Sequence, residues 1–508
     1  MEAPQMVPCV PVPLDERVFP TLVSKAKDWA LMHGAAMRSK TNFSLDSLNF
    51  APFALIPSTF PRKEFEKAVN IQIVLNELIH KVAHDHQFLS EQLRSTIKVD
   101  EFTNRLFQLY ETVHREGVAQ PVSLGLIRSD VMLETTCRDE GISKGCTCSE
   151  CKRDPNAKLP STSAFCCWKQ VEINTIASGF GHLGPISGAI HRFVLEELGR
   201  ADLLDHLPEN NALTGLCEGL IEAWKIYNNK KAVILFIVED VTYNICDQRF
   251  HEFEIRKLNP QVRVIRRTLT EVFDTGHMTD RRQLVIEDME VAVVYFRSGY
   301  EPSQYHSEKE WDARLLIERS TAIKCPAIHY HLAGTKKVQE ALARPLVLEK
   351  FLNNPKEVEL VREIFTGIYS LDFDQFGNEA VELALRDPEK FVLKPQREGG
   401  GNNIYGLDVK RKMEEMINSQ ERSAWILMAR IIPPVQDSYI IRPGVEAKYN
   451  ELQQVVSELG IFGVIIGDSK EIHVNRQVGH MLRTKLSTAN EGGVAAGDGC
   501  LDSPFLVD

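Results

Sequence analysis

The sequence FVLKPQREGGGNNIYG, residues 391–406, constrains the fold of this 508-residue chain more than any other segment. Phe391, Val392 and Leu393 predict a strand that ends at Lys394. Three consecutive glycines, Gly399–Gly401, follow, and glycine lets backbone N–H groups approach an anion without a Cβ in the way. The segment predicts a phosphate-binding loop; a charged surface hairpin is the alternative. It is not a Walker loop, because no GxxxxGK[ST] motif occurs.

Two further features of the sequence support a nucleotide-binding site. Glu398 lies inside the loop, and because a carboxylate repels phosphate, its presence indicates a cation such as Mg²⁺ between them. A second loop, LRTKLSTANEGGVAAG at residues 482–497, again places basic residues, Arg483 and Lys485, before glycines. Two such loops predict a nucleotide held between moving segments.

The segment VEINTIASGFGHLG, residues 171–184, adds polar side chains of another kind. Glu172 and Asn174 are two residues apart, so on a strand they share a face. Carboxylate and amide oxygens are hard ligands that suit Mg²⁺. The alternative is the solvent-facing side of a strand.

The same segment contains Gly179-x-Gly181-x-x-Gly184 between a predicted strand and a predicted helix, which formally matches a dinucleotide fingerprint. A nicotinamide- or flavin-dependent oxidoreductase is therefore an alternative function. The acidic residue expected about 20 positions later should end a second strand. The candidates, Glu196, Glu197 and Asp202, instead lie in or just after the predicted helix, which argues against this alternative.

Composition excludes several classes of protein. Hydrophobic residues make up 43% and charged residues 25%, as in globular proteins, and the length suits about two to four domains. The net charge of −11 argues against a nucleic-acid-binding protein. The longest apolar run, residues 232–238, is far short of the roughly 20 residues of a membrane helix. No secretory signal is predicted. The 11 cysteines indicate free thiols in a reducing cytosol.

Periodicity predicts three regions. Residues 1–229 contain helical faces at residues 65–82 and 102–113, and the Mg²⁺-ligand strand. Residues 230–334 alternate the strands KAVILFIVE, VRVIRR and VAVVYFR with helices, and Ser307 and Glu310 have capping-box spacing. Residues 335–508 add the strands KFVLK, AWILMAR and GIFGVII and the two glycine-rich loops.

Several motifs, in order along the chain, resemble eukaryotic-type glutathione synthetase: EINTI, CDQR, VVYFRSGY, LAGTKKVQ, KPQREGGGNN, SELGIFG and LRTK with GGVAAG. The resemblance implies an α/β chain with α+β elements in an ATP-grasp fold, with an inserted α/β substrate-binding domain, a helical N-terminal part and glycine-rich lid loops. It also implies a cytoplasmic, homodimeric, Mg²⁺-dependent ligase. Such an enzyme joins γ-glutamylcysteine to glycine through an acyl phosphate and forms glutathione, ADP and phosphate. A same-fold ligase with β-alanine or serine as acceptor, or a catalytically dead nucleotide-binding scaffold, remains an alternative.

The resemblance also assigns site residues. Arg128, Lys394 and Arg483 would be catalytic, and Glu172, Asn174 and Glu398 would hold Mg²⁺. ATP would contact Glu172, Lys336, Lys394, Pro395, Gln396, Arg397, Glu398, Gly399, Gly400, Gly401, Asn402, Asn403, Tyr405, Met428, Ala429, Arg430, Ile431, Glu458, Lys485 and Glu491. The peptide substrates would contact Arg128, Ile176, Ala177, Ser178, Gly179, Thr242, Tyr243, Asn244, Gln248, Arg297, Ser298, Gly299, Tyr300, Arg483, Val494 and Ala495.

The chain departs from the family pattern at a few positions. Ala177 and Gly179 stand where serines are usual, so we expect altered hydroxyl contacts to the dipeptide. Ala429 and Arg430 replace common Glu and Lys, and Glu491 replaces an expected aspartate. An apparent insertion before Glu172 contains Cys137, Cys146, Cys148, Cys151, Cys166 and Cys167, for which a thiol-bearing loop, a metal site and a redox switch remain open.

Overall fold

The computed structural model describes residues 5–135, 167–396, 401–494 and 499–508. Its α-helices are α1 Phe19–Met32, α2 Arg62–Ala83, α3 His86–Leu93, α4 Glu101–Glu116, α5 Leu183–Glu197, α6 Ala212–Tyr227, α7 Ile245–Leu258, α8 Leu269–Thr275, α9 Glu308–Arg319, α10 Ile328–Ala333, α11 Lys336–Leu342, α12 Pro355–Ile364, α13 Gln375–Arg386 and α14 Leu407–Met416. None of these described helices is long and apolar enough to span a bilayer.

The described β-strands lie in five sheets. They are β1 Gln5–Met6, β2 Ala36–Met37, β3 Asn49–Phe50, β4 Phe53–Ala54, β5 Ser58–Pro61, β6 Ser123–Glu134, β7 Cys167–Asn174, β8 Val233–Ile237, β9 Val264–Arg267, β10 Gly276–Met278, β11 Leu284–Ile286, β12 Met289–Phe296, β13 Ile323–Cys325, β14 Ile368–Ser370, β15 Phe391–Pro395, β16 Ile404–Tyr405, β17 Trp425–Ala429, β18 Val435–Ser438, β19 Ile440–Ile441, β20 Gln453–Gly467, β21 Ile472–Leu486, β22 Gly499–Asp502 and β23 Pro504–Val507.

The largest sheet contains nine of the described strands, and its centre is the antiparallel series β7–β6–β20–β21. The register places Arg128 of β6 opposite Asn174 of β7, and Glu458 of β20 opposite Arg483 of β21. Polar residues that are far apart in the chain therefore meet on adjacent strands. Helix α2 packs across β20 and β21 through an apolar face that includes Leu75 and Leu78.

Two smaller sheets adjoin this one. The six-stranded sheet pairs β9, β8, β12 and β13 in parallel and adds the antiparallel strands β10 and β11. The four-stranded sheet, in the order β14–β17–β15–β16, is antiparallel and packs against α13 and α14. Strand β15 of this sheet ends in the predicted phosphate-binding loop.

The predicted local elements are confirmed. The helical faces at residues 65–82 and 102–113 belong to α2 and α4 and are largely buried, and the six quoted strand segments all form strands. The capping box is present at α9: Ser307 accepts from the helix backbone, and Glu310 accepts from Ser307 N at 2.7 Å. The mixed helix-and-sheet class is thus confirmed, and its buried apolar side chains form several adjoining cores.

Candidate active site

A cavity of about 600 Å³ lies between the large sheet, the four-stranded sheet and the loops beside them. Most of the predicted site residues line it: Arg128, Glu172, Asn174, Ile176, Ala177, Ser178, Gly179, Tyr243, Asn244, Tyr300, Lys336, Lys394, Asn402, Asn403, Tyr405, Met428, Ala429, Arg430, Ile431, Glu458, Arg483, Lys485, Glu491 and Val494.

Other predicted residues are not in the cavity wall: Pro395, Gln396, Gly401, Thr242, Gln248, Arg297, Ser298 and Gly299. Arg397, Glu398, Gly399, Gly400 and Ala495 lie outside the described residues, as do the cysteines of the apparent insertion up to Cys166. Cys167 begins β7 and is buried. Among the described residues, no group of three or more His, Cys, Asp or Glu is arranged to hold a metal ion.

Lysines and a glutamate face each other at one wall of the cavity. Lys336, the first residue of α11, places its Nζ 3.0 Å from Glu172 Oε2, and Lys394 Nζ donates to the carbonyl oxygen of Val171 at 3.0 Å. Burial alone would raise the pKa of the Glu172 carboxyl. Lys336, Lys394 and Arg483 outweigh burial and hold that pKa well below its ordinary value, so Glu172 is ionised.

The carbonyl group of Val171 can accept the hydrogen bond from Lys394 because strand β7 is irregular at this point. Asp130 of β6 pairs with Glu172, whereas the next residue, Val131, pairs with Gln170. Val171 is thus the extra residue of a β-bulge, which leaves its backbone free of the ladder. The sequence pattern predicted the shared face of Glu172 and Asn174, but the bulge was not foreseen.

Asp130 is a completely buried carboxylate behind the cavity wall that sequence reasoning missed. Its oxygens accept two hydrogen bonds from Arg128, at 2.6 and 2.7 Å, and one from Asn174 Nδ2 at 3.0 Å. Arg483 approaches it at 3.6 Å and also pairs with Glu458 at 2.6 Å. Asp130 therefore joins β6, β7 and β21. The spacing of Arg128 and Asp130, two residues apart on a strand, was the available signal.

The donor set fits a hard divalent cation. Because a carboxylate only accepts hydrogen bonds, Asp130 fixes the amide of Asn174 with its Nδ2 inward, and this leaves Oδ1 for a ligand. The ionised Glu172 lies on the same face of β7 and lines the same cavity. An amide oxygen and a carboxylate oxygen side by side are typical Mg²⁺ ligands.

The second glycine-containing loop also borders the cavity. Glu491 accepts from Asn403 Nδ2 at 2.9 Å and from the Tyr405 hydroxyl at 3.3 Å, which joins this loop to β16. Lys485 Nζ donates to the carbonyl oxygen of Asn490 at 2.6 Å. Burial lowers the pKa of the Lys485 ammonium. The longer side chain of glutamate at position 491 thus reaches the opposite loop.

An apolar part of the cavity wall, the apolar slot, lies at the C-terminal end of β17. Met132, Val392, Met428, Ile431 and Val456 contribute to this part of the wall. The backbone N–H groups of Ala429 and Arg430 already donate to Gly367 and Lys390, at 2.7 and 2.8 Å. A ring system bound beside these apolar side chains would therefore be held through contacts other than these two N–H groups.

The opposite part of the wall is supported by Asp247, another residue that sequence reasoning missed. Its carboxylate accepts from the backbone N–H groups of Phe180, His182 and Leu183 and pairs with Arg297 at 3.0 Å. Burial alone would raise the pKa of Asp247, but Arg297, His251 and the His182 N–H lower it. Asp247 lies in the CDQR motif at the start of α7.

These contacts argue against a dinucleotide site at Gly179, Gly181 and Gly184. The N-terminus of α5, where a pyrophosphate would bind, already holds the Asp247 carboxylate. A Cβ at Gly181 would meet His251 at 2.6 Å, and one at Gly184 would meet the carbonyl oxygen of His480 at 2.6 Å. These two glycines are needed for close packing, and β7 is antiparallel to its neighbour rather than part of a βαβ unit.

The run after EINTI shows how its altered residues are accommodated. Ala177 and Phe180 adopt positive φ angles of 50° and 74°, which turns the chain sharply along the cavity wall. The Ser178 hydroxyl donates to backbone carbonyl groups of Leu126 and Asn174, at 3.2 and 3.3 Å. The remaining hydroxyl of this run is thus engaged within the protein, and the backbone faces the cavity.

Comparisons with known proteins agree with this geometry. A family model described as eukaryotic glutathione synthase, ATP binding domain, matches residues 16–506. The chain is 44% identical to a glutathione synthetase from Xenopus laevis and 41% identical to one from Homo sapiens, each over 97% of this chain and 98% of the relative. It is 38% identical to a chloroplastic glutathione synthetase from Solanum lycopersicum, over 98% of this chain and 86% of the relative. A solved glutathione synthetase-like effector from Globodera pallida, in its apo form, superposes with a TM-score of 0.74 at 25% identity, over 98% of this chain and 100% of that one.

Proposed function

Because this chain belongs to the eukaryotic glutathione synthase family, we propose that it is an ATP-dependent ligase that joins γ-glutamylcysteine to glycine and releases glutathione, ADP and phosphate. The observation that carries the proposal is the shared cavity, which collects Lys336, Lys394, Arg128 and Arg483 around the ionised Glu172. Phosphoryl and acyl transfer need positioned positive charge more than a protein nucleophile, and this wall supplies it.

In this proposal ATP lies between the two glycine-containing loops. The adenine ring occupies the apolar slot beside Met428 and Ile431, and Glu458 faces the ribose. Lys336 and Lys394 bind the phosphates, with Asn402, Asn403, Tyr405, Lys485 and Glu491 closing over them. Glu172 and Asn174 would hold Mg²⁺, with Glu398 as a third ligand that rests on the family resemblance alone. Bound there, the ion would offset the negative charge of the phosphates.

The reaction then follows from the placement of the arginines. The cysteinyl carboxylate attacks the γ-phosphorus of ATP, the bond to ADP breaks, and an acyl phosphate forms. The glycine amine attacks the carbonyl carbon of the acyl phosphate, loses a proton to water and displaces phosphate. Arg128 stabilises the charge on the acyl group, and Arg483 binds the glycine carboxylate. Tyr243, Asn244 and Tyr300 contact the γ-glutamyl end, with the backbone of residues 176–179 beside the cysteinyl part. Behind them, Arg297 and Gln248 support this wall.

The decisive experiment measures ADP release with γ-glutamylcysteine, and with glycine, β-alanine or serine as acceptor in turn. We expect release that requires the dipeptide and glycine together. Lys394→Ala should lower turnover about 10²–10³-fold, because loss of one transition-state contact costs about 2.7–4 kcal/mol. The control is Lys410→Ala, an exposed lysine of α14, and it should leave turnover unchanged. Near-normal turnover of Lys394→Ala, or a preference for another acceptor, would contradict the proposal.

We also propose an ATP-grasp architecture, with residues 1–229, 230–334 and 335–508 as its parts, and a cytoplasmic homodimer. Met32 and Leu45 are apolar side chains near the N-terminus that are mostly exposed, and we expect side chains of this kind to contact the second copy. Analytical ultracentrifugation should give twice the chain mass of 57.5 kDa, and Leu45→Asp should shift the enzyme toward the monomer. A monomeric wild type would reject the dimer without affecting the proposed reaction.

A further inference from the structure

Helix α11 begins with two adjacent lysines, and only the first of them lines the cavity. Lys336 pairs with Glu172 at the cavity wall, whereas Lys337 is not in that wall and its side chain is 1% exposed. A lysine is almost never fully buried unless its ammonium group is paired. Because the motif LAGTKKVQ does not distinguish the two lysines, only the partners of Lys337 explain its burial.

The partners of Lys337 lie mainly in the four-stranded sheet. Its Nζ donates to Ser370 Oγ, at the end of β14, and to Asp372 Oδ2, each at 2.6 Å. Its backbone N–H donates to Gln396 Oε1 at 3.0 Å, and Gln396 directly follows β15. Glu340, one turn later in α11, lies 3.7 Å from the same ammonium group. Lys337 therefore connects α11 to two strands of that sheet.

Asp372 is itself held in place on its side of this contact. Its carbonyl oxygen accepts from Arg422 Nη2 at 2.8 Å, and the same nitrogen donates to Asn378 of α13 at 2.6 Å. Burial alone would raise the pKa of the Asp372 carboxyl, but Lys337 and neighbouring hydroxyl groups lower it, so the carboxylate is ionised. A hydrogen bond between two charged groups is stronger than a neutral one, so this contact resists displacement.

The two lysines proposed to bind the ATP phosphates belong to the two parts that Lys337 connects. Lys336 is in α11, and Lys394 is in β15. Both of these lysines also contact β7, at Glu172 and Val171, but they do so through the ammonium groups that would bind phosphate. Those contacts change when ATP binds. The contacts of Lys337 lie outside the cavity wall and require no such exchange.

We propose that Lys337 is a positioning residue for phosphoryl transfer, because it fixes α11 against the four-stranded sheet and thereby sets the separation of Lys336 and Lys394. It does not touch the substrates, since it is not in the cavity wall. The inference rests on the proposed function and extends it, because it assigns the alignment of two phosphate-binding lysines to a residue outside the site. A shift of about 1 Å in reacting groups can lower a rate about 100-fold.

The test is Lys337→Met, which keeps a side chain of similar length and removes the ammonium group. We expect kcat/KM for ATP to fall about 100-fold, through a lower kcat and a higher KM for ATP, because the two phosphate-binding lysines are no longer aligned. KM for γ-glutamylcysteine and for glycine should stay within about twofold of wild type, since their proposed contacts lie on other parts of the wall. A general loss of structure would instead raise all three KM values.

Lys324→Met is the matched control. Lys324 is also a buried lysine, and its Nζ donates to the carbonyl oxygen of Ser320 at 2.9 Å. It belongs to β13 of the six-stranded sheet and is not in the cavity wall. Assayed below its unfolding midpoint, this variant should keep kcat/KM for ATP within about threefold of wild type.

Asp372→Asn completes the test, and it replaces Lys337→Met if that variant does not fold. The change retains the shape of the side chain and removes its charge, so kcat/KM for ATP should fall about tenfold, because a neutral acceptor holds the ammonium group less firmly. The double variant should resemble Lys337→Met alone. If the two losses multiply instead, Lys337 does not act through Asp372 and the inference fails.

Two other results would overturn the inference while wild-type ligation still stood. One is a kcat/KM for ATP close to that of wild type in folded Lys337→Met or Asp372→Asn. The other is an equal rise in KM for ATP, γ-glutamylcysteine and glycine. A wild type that does not ligate γ-glutamylcysteine would overturn the proposed function and this inference with it.

Discussion

Among the described residues, two buried arginine–aspartate pairs, Arg128–Asp130 and Arg297–Asp247, lie beside the same cavity. In each pair the aspartate side chain is at most 1% exposed and the arginine at most 6%. They differ in what else the aspartate contacts. Asp130 accepts from side chains of the cavity wall, whereas Asp247 accepts from three backbone N–H groups at the start of α5.

The pKa values of the two carboxyls shift in opposite directions. Burial raises the pKa of Asp130, against the attraction of Arg128, and the nearby Glu458 raises it further. Burial also acts on Asp247, but Arg297, His251 and a backbone N–H outweigh it and lower the pKa. The same kind of residue pair thus borders the cavity through Arg128 in one place and supports the start of a helix in the other. The other contacts of the aspartate determine which of these two roles a pair has.

The largest expected effect is on stability, from Asp247→Ala. The change leaves Arg297 buried without its partner and removes the acceptor for the N-terminus of α5. Breaking a buried pair typically costs about 3–5 kcal/mol, so the thermal unfolding midpoint should fall markedly. Asp202→Ala, which removes an exposed partner of Arg200, should change stability by less than about 1 kcal/mol. Equal midpoints for the two variants would contradict the supporting role of Asp247.

The second prediction concerns pH. The Nδ1–H group of His251 donates to the carbonyl oxygen of Asp247 at 2.6 Å, and burial lowers the pKa of the His251 ring to about 4. The unfolded state therefore binds this proton first, at about pH 6.5. Stability from the neutral ring is fully present above that pH and is lost as the pH falls toward about 4.

His251→Gln should remove this part of the pH dependence. Between pH 7 and 4.5 the wild type should lose about 2–3 kcal/mol more stability than the variant, as measured by urea unfolding at both pH values. Other buried histidines, such as His480, act equally in both proteins. Parallel losses in the two proteins would show that His251 is not buried in its neutral form.

The third prediction addresses the other pair. Asp130→Asn keeps the shape but replaces one acceptor oxygen with a donor, which misorients Arg128 and the amide of Asn174. We expect turnover to fall about 100-fold, the cost of one misplaced transition-state contact. The unfolding midpoint should fall less than in Asp247→Ala, because Arg128 and Arg483 keep contacts to Gly179 and Glu458.

Ser129→Ala is the control for that change. Ser129 is the buried neighbour of Asp130 on the opposite face of β6, outside the cavity wall. It should retain turnover within about twofold. If Asp130→Asn also keeps near-normal turnover in a folded protein, then Asp130 does not organise the reacting side chains.

The two pairs also show how far sequence reasoning reaches. Helices α2 and α4, the quoted strands and the capping box at Ser307 follow from periodicity or spacing over a few residues, and these were predicted. The convergence of Glu172 with Lys336 followed from the family resemblance, since no local signal joins positions so far apart. Asp130 meets its partners through the register of the strands, and Asp247 meets the start of α5, about 65 residues away in the chain. Local sequence patterns contain neither kind of information.

The smallest expected effect is on KM for γ-glutamylcysteine, and it shows how residues near Asp247 influence substrate binding. Gln248 was predicted as a substrate contact, but it is buried outside the cavity wall, where its Nε2 donates to Asn244 Oδ1 at 2.9 Å and its Oε1 accepts from Arg266 at 2.8 Å. It can therefore orient Asn244 without touching the dipeptide.

Gln248→Ala should raise KM for γ-glutamylcysteine about threefold with kcat unchanged, since one neutral hydrogen bond contributes about 1 kcal/mol or less. Asn244→Ala should raise KM more, and the double variant should equal Asn244→Ala alone. Additive increases in KM would instead mean that Gln248 contacts the dipeptide directly. In that case the substrate-binding wall would extend to the region around the Arg297–Asp247 pair.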